Sequence, residues 1–259
     1  MNNRFSLERK TILVVGAAGR IGKEIVAGAL ESGANVVALD RNEEALLELE
    51  NDYQDEARLL CGSVDIADER SIEESLQKTE KHFGGVDGAV NTAYPRNASY
   101  GKKFFDVTYE DFCENTSLHL GGYFLFMQQC AKYSLDRERT FSLVNMSSVY
   151  GVIPPRFDIY ANTSMTMPVE YSAIKAGLLH LTRYTNAFVK GGKFRANCVS
   201  PGGILAGQDA QFLERYNSHC MSKGMLDSQD VVGTILFLLS DAAEFMVGQN
   251  VVIDDGFSL

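Results

Sequence analysis

The sequence has few residues of the types that build metal centres or disulfide frameworks. Its five cysteines and four histidines are scattered over 259 residues. No two of them have the spacing of a zinc or redox motif. An odd number of widely spread cysteines is typical of reduced, mostly buried thiols in a cytosolic protein. We therefore expect no metal site and a cytoplasmic location.

Long hydrophobic runs are also missing. Residues 1–10 are polar, and the apolar run at 12–15 leads directly into glycines. Four apolar residues are too few for the core of a signal peptide or for a membrane-spanning helix. We expect neither in this sequence, and no membrane partner.

Basic residues are outnumbered by acidic ones, which gives a net charge of −10. This excess argues against a nucleic-acid surface and against a basic membrane patch. The chain also has no repeat, no low-complexity linker and only five prolines. With 45% hydrophobic residues, it can bury a sizeable core, and we expect one domain over 1–259.

Short β-branched runs alternate with segments of helical apolar spacing. This alternation predicts an α/β protein with a doubly wound parallel sheet, the Rossmann fold. The expected strands are 11–15, 35–39, 57–61, 86–90, 141–146, 194–200 and 250–254. The expected helices are 23–32, 42–49, 68–83, 106–133, 168–189 and 230–239, with a substrate loop at 149–167 and a lid at 203–225 that is helical from 208.

A glycine-rich segment follows the first expected strand. Gly16, Gly19 and Gly22 have G-x-x-G-x-x-G spacing and precede a helical pattern. A strand, a glycine turn and a helix form the context in which such glycines bind a dinucleotide. Gly16 would permit the tight turn, Gly19 would let the backbone approach the pyrophosphate, and Gly22 would let the helix pack close to the sheet. An ordinary strand-to-helix turn is the alternative.

An acidic residue ends the second expected strand. Asp40 lies about 20 residues after the glycines, where an acid commonly binds the adenosine ribose. Its carboxylate would accept hydrogen bonds from the ribose of NAD and repel the 2′-phosphate of NADP. Arg20 and Arg41 could each bind a phosphate instead, so NAD is expected with NADP as the alternative. Asp40 could also cap the following helix.

Tyr171 and Lys175 are four residues apart on an expected helix, so they share one face. A lysine ammonium beside a phenol favours the phenolate and lowers the tyrosine pKa. Such a tyrosine can exchange a proton with an alcohol near neutral pH. The alternative is a half-exposed pair with no function.

Together these motifs resemble the short-chain dehydrogenase/reductase family over nearly the whole chain. The resemblance implies hydride transfer between nicotinamide and a substrate alcohol or ketone. Tyr171 would be the acid/base, Lys175 would tune it and bind the nicotinamide ribose, and Ser148 would hydrogen-bond the substrate oxygen. The remaining cofactor-binding residues would be Gly16, Gly19, Arg20, Ile21, Gly22, Asp40, Arg41, Asp65, Ile66, Asn91, Ala93, Pro201, Gly202 and Ile204.

Among the departures from the family pattern, one bears on proton transfer. His119 stands where the family has the asparagine of its proton relay. A histidine there could replace the asparagine through a water chain, or it could pack against a neighbouring helix, since both roles suit its chemistry.

The stretches 91–97 and 113–124 resemble a branch of the family, the flagellin modification proteins of bacterial surface-sugar pathways. This implies an NAD-dependent oxidoreductase for a sugar-derived alcohol or ketone. The alternatives are an epimerase or dehydratase with tightly bound NAD, and a non-catalytic NAD-binding regulator. Tyr94, Arg96 and Arg156 are the candidate substrate-binding residues, because arginine suits a phosphate or carboxylate. The family resemblance also implies a homodimer or homotetramer.

Overall fold

Seven parallel strands form one sheet in the order β3-β2-β1-β4-β5-β6-β7 in the computed structural model, which describes residues 3–53 and 56–259. The strands are β1 Thr11–Val15, β2 Asn35–Asp40, β3 Leu59–Ser63, β4 Gly88–Asn91, β5 Phe141–Met146, β6 Phe194–Pro201 and β7 Asn250–Ile253. The helices are α1 Arg20–Glu31, α2 Glu43–Asp52, α3 Glu69–Phe83, α4 Tyr109–Thr116, α5 Gly122–Asp136, α6 Val169–Phe188, α7 Ala210–Asn217 and α8 Val232–Leu239.

Helices cover both faces of the sheet. One apolar cluster joins the sheet to α1, α2 and α8, and a second joins it to α3, α5 and α6. All residues of β1, β4, β5 and β6 are buried, as expected for parallel strands covered on both sides. The Rossmann fold predicted from the sequence is confirmed.

The strand order reverses beside β1, which pairs with β2 on one side and with β4 on the other. The connections from these two neighbours leave in opposite directions and open a crevice at the carboxyl ends of the strands. In open α/β sheets this is where ligands bind. The glycine turn after β1 lies at this point.

The helix expected over 106–133 has a different form. It is α4 followed by a π-helical turn, Ser117–Gly121, and then α5. A π-turn adds a residue to the helix and is frequent at functional sites. Gly122 lies against Ile66, since a Cβ there would be 2.9 Å from that side chain, whereas Gly121 has space around it.

The lid is less helical than its sequence predicts. Only α7 is helical, and it begins with an Asp209 side-chain cap. The segment after it is fixed by Asp255, whose carboxylate accepts hydrogen bonds from the backbone of Ser222, Lys223 and Gly224. Within 3–53 and 56–259, no helix combines the length and apolar character needed to cross a membrane.

Candidate active site

The glycine turn is built by contacts between backbone atoms. Gly16 has a φ of 78°, and a Cβ there would lie 2.5 Å from the Thr92 hydroxyl. A Cβ on Gly22 would lie 2.1 Å from the Gly16 carbonyl oxygen. Gly22 thus lets α1 pack against its own entry turn, rather than against the sheet as expected from the sequence. A Cβ on Gly19 would lie 3.1 Å from the Gly16 oxygen and within 4 Å of no other atom of the described chain beyond its sequence neighbours. Space is therefore left beside the Gly19 backbone.

Helix α1 begins without a capping side chain among the described residues. Its first backbone amides, those of Arg20, Ile21 and Gly22, have no carbonyl one turn earlier within the helix. Such amides and the helix dipole together favour a phosphate group. A cleft beside the turn is lined by these residues and by Gly16 and Gly19. The turn therefore fits the pyrophosphate of a dinucleotide.

Asp40 connects the turn to the second strand. Its carboxylate accepts hydrogen bonds from the amides of Ala18 (3.1 Å) and Asn42 (3.0 Å). Asn42, and not Asp40, caps α2. Asp40 lines a small cavity of about 200 Å³ that fits the adenosine end of a dinucleotide, together with Gly16, Gly19, Arg41, Asp65, Ile66, Thr92 and Ala93.

The two arginines near the turn lie on different sides of it. Arg41 is exposed and lines the same small cavity as Asp40. Arg20 turns toward the lid, where its guanidinium donates a hydrogen bond to the Leu205 carbonyl oxygen at 2.8 Å. Of these two arginines, Arg41 is therefore the one that shares a cavity with Asp40.

Asn91 is buried at the end of β4. Its Oδ1 accepts a hydrogen bond from the Ala93 amide at 3.1 Å, and its backbone oxygen accepts one from the Tyr123 hydroxyl at 2.9 Å. Its Nδ2 has no partner in the described part of the chain. Asn91 thus orders the backbone at Ala93, which lines both the small cavity and the larger cleft.

The larger cleft has a volume of about 640 Å³ and runs from the glycine turn to the lid. Ser148, Tyr171 and Lys175 line it, and so do Pro201, Gly202 and Ile204 from the end of β6. The sequence pattern placed these residues on three separate segments, and the fold brings them together.

Lys175 is held by two contacts from other elements. Its ammonium donates to the Met146 carbonyl oxygen at 2.7 Å and lies 3.3 Å from His119 Nε2. The neighbouring Ser147 hydroxyl is occupied, since it donates to the backbone oxygen of Lys175. Ser148 instead accepts from the Tyr150 amide and lies beside Tyr171, which favours Ser148 over Ser147 as the substrate-binding hydroxyl.

The pKa values at this corner differ from the sequence-based expectation. Burial raises the pKa of Tyr171 to about 12, although the Ser148 hydroxyl opposes the rise. Burial also lowers the pKa of Lys175 to about 7. Lys175 therefore carries only part of its charge at neutral pH and does not depress the tyrosine pKa. In this state Tyr171 is a protonated phenol, which suits proton donation to a carbonyl oxygen.

His119 lies on the π-turn and is fully buried. Burial, followed by the nearby Lys175 charge, lowers its pKa to about 2. It is therefore a neutral imidazole at neutral pH. It contacts Lys175 directly, and the sequence had left open whether it acts through a water chain or packs against a helix.

The candidate substrate-binding residues occupy different positions. Tyr94 lines the cleft, with its ring edge-on to Tyr171 at 5.7 Å between centroids. Arg96 is exposed and lies over the Tyr94 ring at 5.0 Å. Arg156 is not among the residues that line the cleft. Its guanidinium instead donates hydrogen bonds to the backbone oxygens of Phe257 and Leu259.

The loop 149–167 borders the cleft with residues other than those expected. Its polar residues at 162–164 are not part of the lining, and it contributes tyrosines and methionines instead. Seven residues of the cleft lining were not predicted from the sequence: Tyr100, Tyr150, Met165, Met167, Phe212, Tyr216 and Met225. A count of aromatic residues could have drawn attention to them, although only the fold shows which ones face the cleft.

Metal-binding groups of three or more His, Cys, Asp or Glu residues do not occur among residues 3–53 and 56–259. Tyr171 lines the cleft beside Ser148, where its hydroxyl can take part in proton transfer. A nicotinamide cofactor would supply the hydride acceptor or donor. The glycine turn and the amides of α1 fit the pyrophosphate of such a dinucleotide, and the Asp40 cavity fits its adenosine end.

Known proteins resemble this chain over its full length. A family model described as enoyl-(acyl carrier protein) reductase matches residues 16–258. Post-translational flagellin modification protein A of Campylobacter coli is 39% identical over 258 residues, covering 98% of this chain and 100% of that protein. The 3-oxoacyl-(acyl-carrier-protein) reductase FabG of Thermotoga maritima is 32% identical over 260 residues, covering 96% and 98%.

A solved structure has the same fold with a cofactor present. The short chain dehydrogenase from Leptospira borgpetersenii with bound NAD+ is 30% identical, with a TM-score of 0.87 and coverage of 100% of this chain and 96% of that one. The match to the flagellin modification protein confirms the branch resemblance seen in the sequence. The chain belongs to the short-chain dehydrogenase/reductase family and is an NAD(P)-dependent oxidoreductase.

Proposed function

We propose that this enzyme uses NAD to oxidise or reduce a polar, sugar-derived alcohol or ketone, a precursor of a bacterial surface glycan. The observation that carries the proposal is the tyrosine-rich lining of the cleft around Tyr171. Five further tyrosines line it: Tyr94, Tyr100, Tyr150, Tyr160 and Tyr216.

A tyrosine offers an apolar ring and a hydroxyl at its tip. Two pairs are linked through their hydroxyls, Tyr94 with Tyr100 at 2.7 Å and Tyr150 with Tyr160 at 3.3 Å. Rings can pack on the C–H faces of a sugar while the hydroxyls bond its polar groups. A pocket for a steroid or fatty acyl chain would need fewer polar groups.

The relative that modifies flagellin supports the same substrate class, because it matches this chain from end to end at 39% identity. The position of Arg156 gives no support to an anionic substrate. We therefore propose a sugar-derived substrate without assigning it a charge, and we assign loop 149–167 and lid 203–225 to its binding.

The preference for NAD rests on Asp40, which lies in the adenosine cavity and is held by the Ala18 amide. We expect Asp40→Asn to weaken NAD binding and to reduce the discrimination against NADP, because the neutral amide no longer repels a 2′-phosphate. Titration of the wild type and the variant with both cofactors measures this. Tighter binding of NADP than NAD by the wild type would contradict the proposal and favour Arg41 as the determinant.

The substrate class can be tested by incubating the enzyme and NAD with sugar phosphates, nucleotide sugars, steroid alcohols and 3-hydroxyacyl thioesters. We expect NADH to form with a sugar derivative only. NADH formation with a steroid or acyl thioester alone would contradict the proposal. Sugar conversion without net NADH, with NAD retained through gel filtration, would favour the epimerase or dehydratase.

Exposed aromatic side chains support a homo-oligomer. Tyr184 and Phe188 lie exposed on α6, and Phe124 lies on the neighbouring helix α5. Large exposed apolar residues on adjacent helices are typical of a protein interface. We propose a homodimer or homotetramer joined through these helices. Light scattering should show a smaller assembly for Phe188→Glu than for the wild type, and a monomeric wild type would contradict it.

A further inference from the structure

A second cavity lies apart from the cofactor and substrate cleft. It has a volume of about 410 Å³ and lies between helix α3 and the sheet edge formed by β2 and β3. It shares no lining residue with the larger cleft or with the cavity at Asp40. Its volume is in the range of small-molecule sites, about 300–1,000 Å³, and neither hydride transfer nor dinucleotide binding uses it.

The floor of this cavity is apolar. Val37 and Leu39 of β2 expose only 2% of their surface each, and Leu60 lies opposite Val37 on the edge strand β3. All three line the cavity. Cys61 adds a thiol whose pKa is raised to about 11 by burial, with a smaller contribution from Glu50. The floor therefore carries no charge at neutral pH.

Gly62 leaves the cavity open. It lies two residues after Leu60 on β3, so a side chain there would point to the same face of the sheet. A Cβ on Gly62 would lie 3.5 Å from Leu39 Cδ2, an ordinary contact distance, and within 4 Å of no other described atom beyond its sequence neighbours. Its φ is outside the left-handed region. A side chain is therefore sterically allowed at a strand position where glycine is unfavourable, and its absence preserves the space.

The rim of the cavity is basic. Lys78, Lys81 and His82 line it from α3, and no Asp or Glu is among its lining residues. Both lysines are exposed, and neither has an ion-pair partner within 3–53 and 56–259. In a chain of net charge −10, this rim is a local exception that favours an anion.

The four acidic side chains of α3 are engaged by residues outside the cavity lining. The pairs are Glu69 with Gln129, Glu73 with Lys132, Glu74 with Arg70 and Glu80 with Arg137. Three of these partners belong to α5 or its C-terminal cap. The acidic groups of α3 are thus used mainly on the side of α5, whereas the two lysines remain available to a ligand.

We propose that this cavity is a second ligand site, for an amphipathic anion that consists of a carboxylate and an apolar chain. The chain packs on Val37, Leu39 and Leu60, where it removes apolar surface from water. The carboxylate accepts hydrogen bonds from the ammonium groups of Lys78 and Lys81, which can only donate. A small anion without a chain leaves the floor unused, and a neutral chain leaves both lysines without a partner. The site is independent of the substrate class proposed above.

Calorimetric titration of the enzyme, saturated with NAD, tests the site with decanoate as the probe. Decanol has the same chain without the charge, and acetate has the charge without the chain. We expect decanoate to bind at least about tenfold more tightly than either. Added salt should weaken the binding of decanoate but not that of decanol, because it screens the attraction to exposed lysines.

Substitutions at the rim locate the bound carboxylate. Lys78→Gln combined with Lys81→Gln should weaken decanoate binding about tenfold or more and leave NAD affinity unchanged. Lys190→Gln combined with Lys193→Gln is the matched control, because it removes the same charge from two exposed lysines outside the lining. This control should bind decanoate as the wild type does.

Gly62→Val closes the cavity from its floor. It should abolish decanoate binding and unfold at the wild-type temperature or above, since a β-branched residue favours a strand. The double lysine variant leaves the floor intact, and it covers the case in which Gly62→Val folds poorly.

Three results would overturn the proposal. The first is an absence of decanoate binding in the millimolar range, and the second is equal affinity for decanoate and decanol. The third is wild-type decanoate affinity in the double lysine variant or in a folded Gly62→Val, which would indicate that the probe binds in the larger cleft instead.

Discussion

The glycine turn and the catalytic corner build their sites by opposite means. At the turn, backbone atoms fill the space, so a Cβ on Gly22 would lie 2.1 Å from another residue's carbonyl oxygen. At the corner, side chains from separate elements meet, as Lys175 does with His119. The turn therefore excludes a side chain at Gly16 and at Gly22, whereas the corner depends on the chemical identity of each side chain. Substitutions at the turn should therefore affect cofactor binding, and substitutions at the corner should affect the chemical step.

The largest effect on cofactor binding is expected at the turn. Gly22→Ala should lower NAD affinity about a hundredfold, which corresponds to about 2.7 kcal/mol, because the new Cβ displaces the Gly16 carbonyl. Overpacking should also destabilise the fold by about 1–3 kcal/mol. Calorimetric titration and thermal unfolding measure the two effects.

Gly233→Ala is the matched control, since a Cβ on Gly233 meets nothing within 4 Å. It should bind NAD as the wild type does and unfold at the same or a slightly higher temperature. Equal losses in both variants would show that the turn is not specially packed.

The next effect concerns chemistry alone. Tyr171→Phe should reduce turnover about 10²- to 10⁴-fold, since only the proton-transfer group is removed. Tyr184→Phe changes an exposed tyrosine on the same helix and should keep the wild-type rate. Steady-state kinetics with a substrate from the panel measure both. A near-normal rate for Tyr171→Phe at saturation would contradict the role of this phenol.

A pH effect on stability should follow from His119. Its pKa is about 2 in the folded protein and about 6.5 when unfolded, so between these values only the unfolded state binds the proton. Folded wild type should therefore lose up to about 1.4 kcal/mol per pH unit as the pH falls below 6.5. His119→Asn should lack this contribution, and urea unfolding from pH 7 to 4.5 measures the difference.

The exposed His180 on α6 provides the control for that series. His180→Asn should follow the wild-type stability curve. If His119→Asn and the wild type lose stability in parallel on acidification, the imidazole is not held neutral by burial.

The smallest effect is expected at Arg156. Arg156→Met removes hydrogen bonds to two backbone oxygens near residue 259 and should cost about 1–2 kcal/mol in unfolding free energy. Because Arg156 lies outside the cleft lining, kcat/KM should change equally for charged and uncharged substrates. A loss of kcat/KM specific to anionic substrates would indicate that Arg156 does bind the substrate.

The sequence was sufficient for most of the fold. The apolar runs of β1 and β5 end at the predicted residues, because buried parallel strands leave an uninterrupted apolar pattern. The π-turn at Ser117–Gly121 was not predictable, since it adds one residue to a helix whose apolar pattern continues. The helix predicted from 208 to 225 ends early, at the end of α7, and the loop after it is fixed by Asp255, a residue distant in sequence.

The sequence predicted those candidate-site residues that belong to motifs. The glycines, Tyr171, Lys175 and Ser148 meet in one cleft, as the motif order implies. The tyrosine pKa was not predictable, because burial depends on residues brought together by folding.

Backbone packing at the glycine turn holds the pyrophosphate of the cofactor, while side chains at the catalytic corner perform the chemistry. Calorimetric titration of Tyr171→Phe and Gly22→Ala with NAD, beside the wild type, tests it most directly. Tyr171→Phe should bind NAD nearly as tightly as the wild type, and Gly22→Ala should bind it about a hundredfold more weakly. Weak binding by Tyr171→Phe together with wild-type affinity in Gly22→Ala would contradict this division between the turn and the corner.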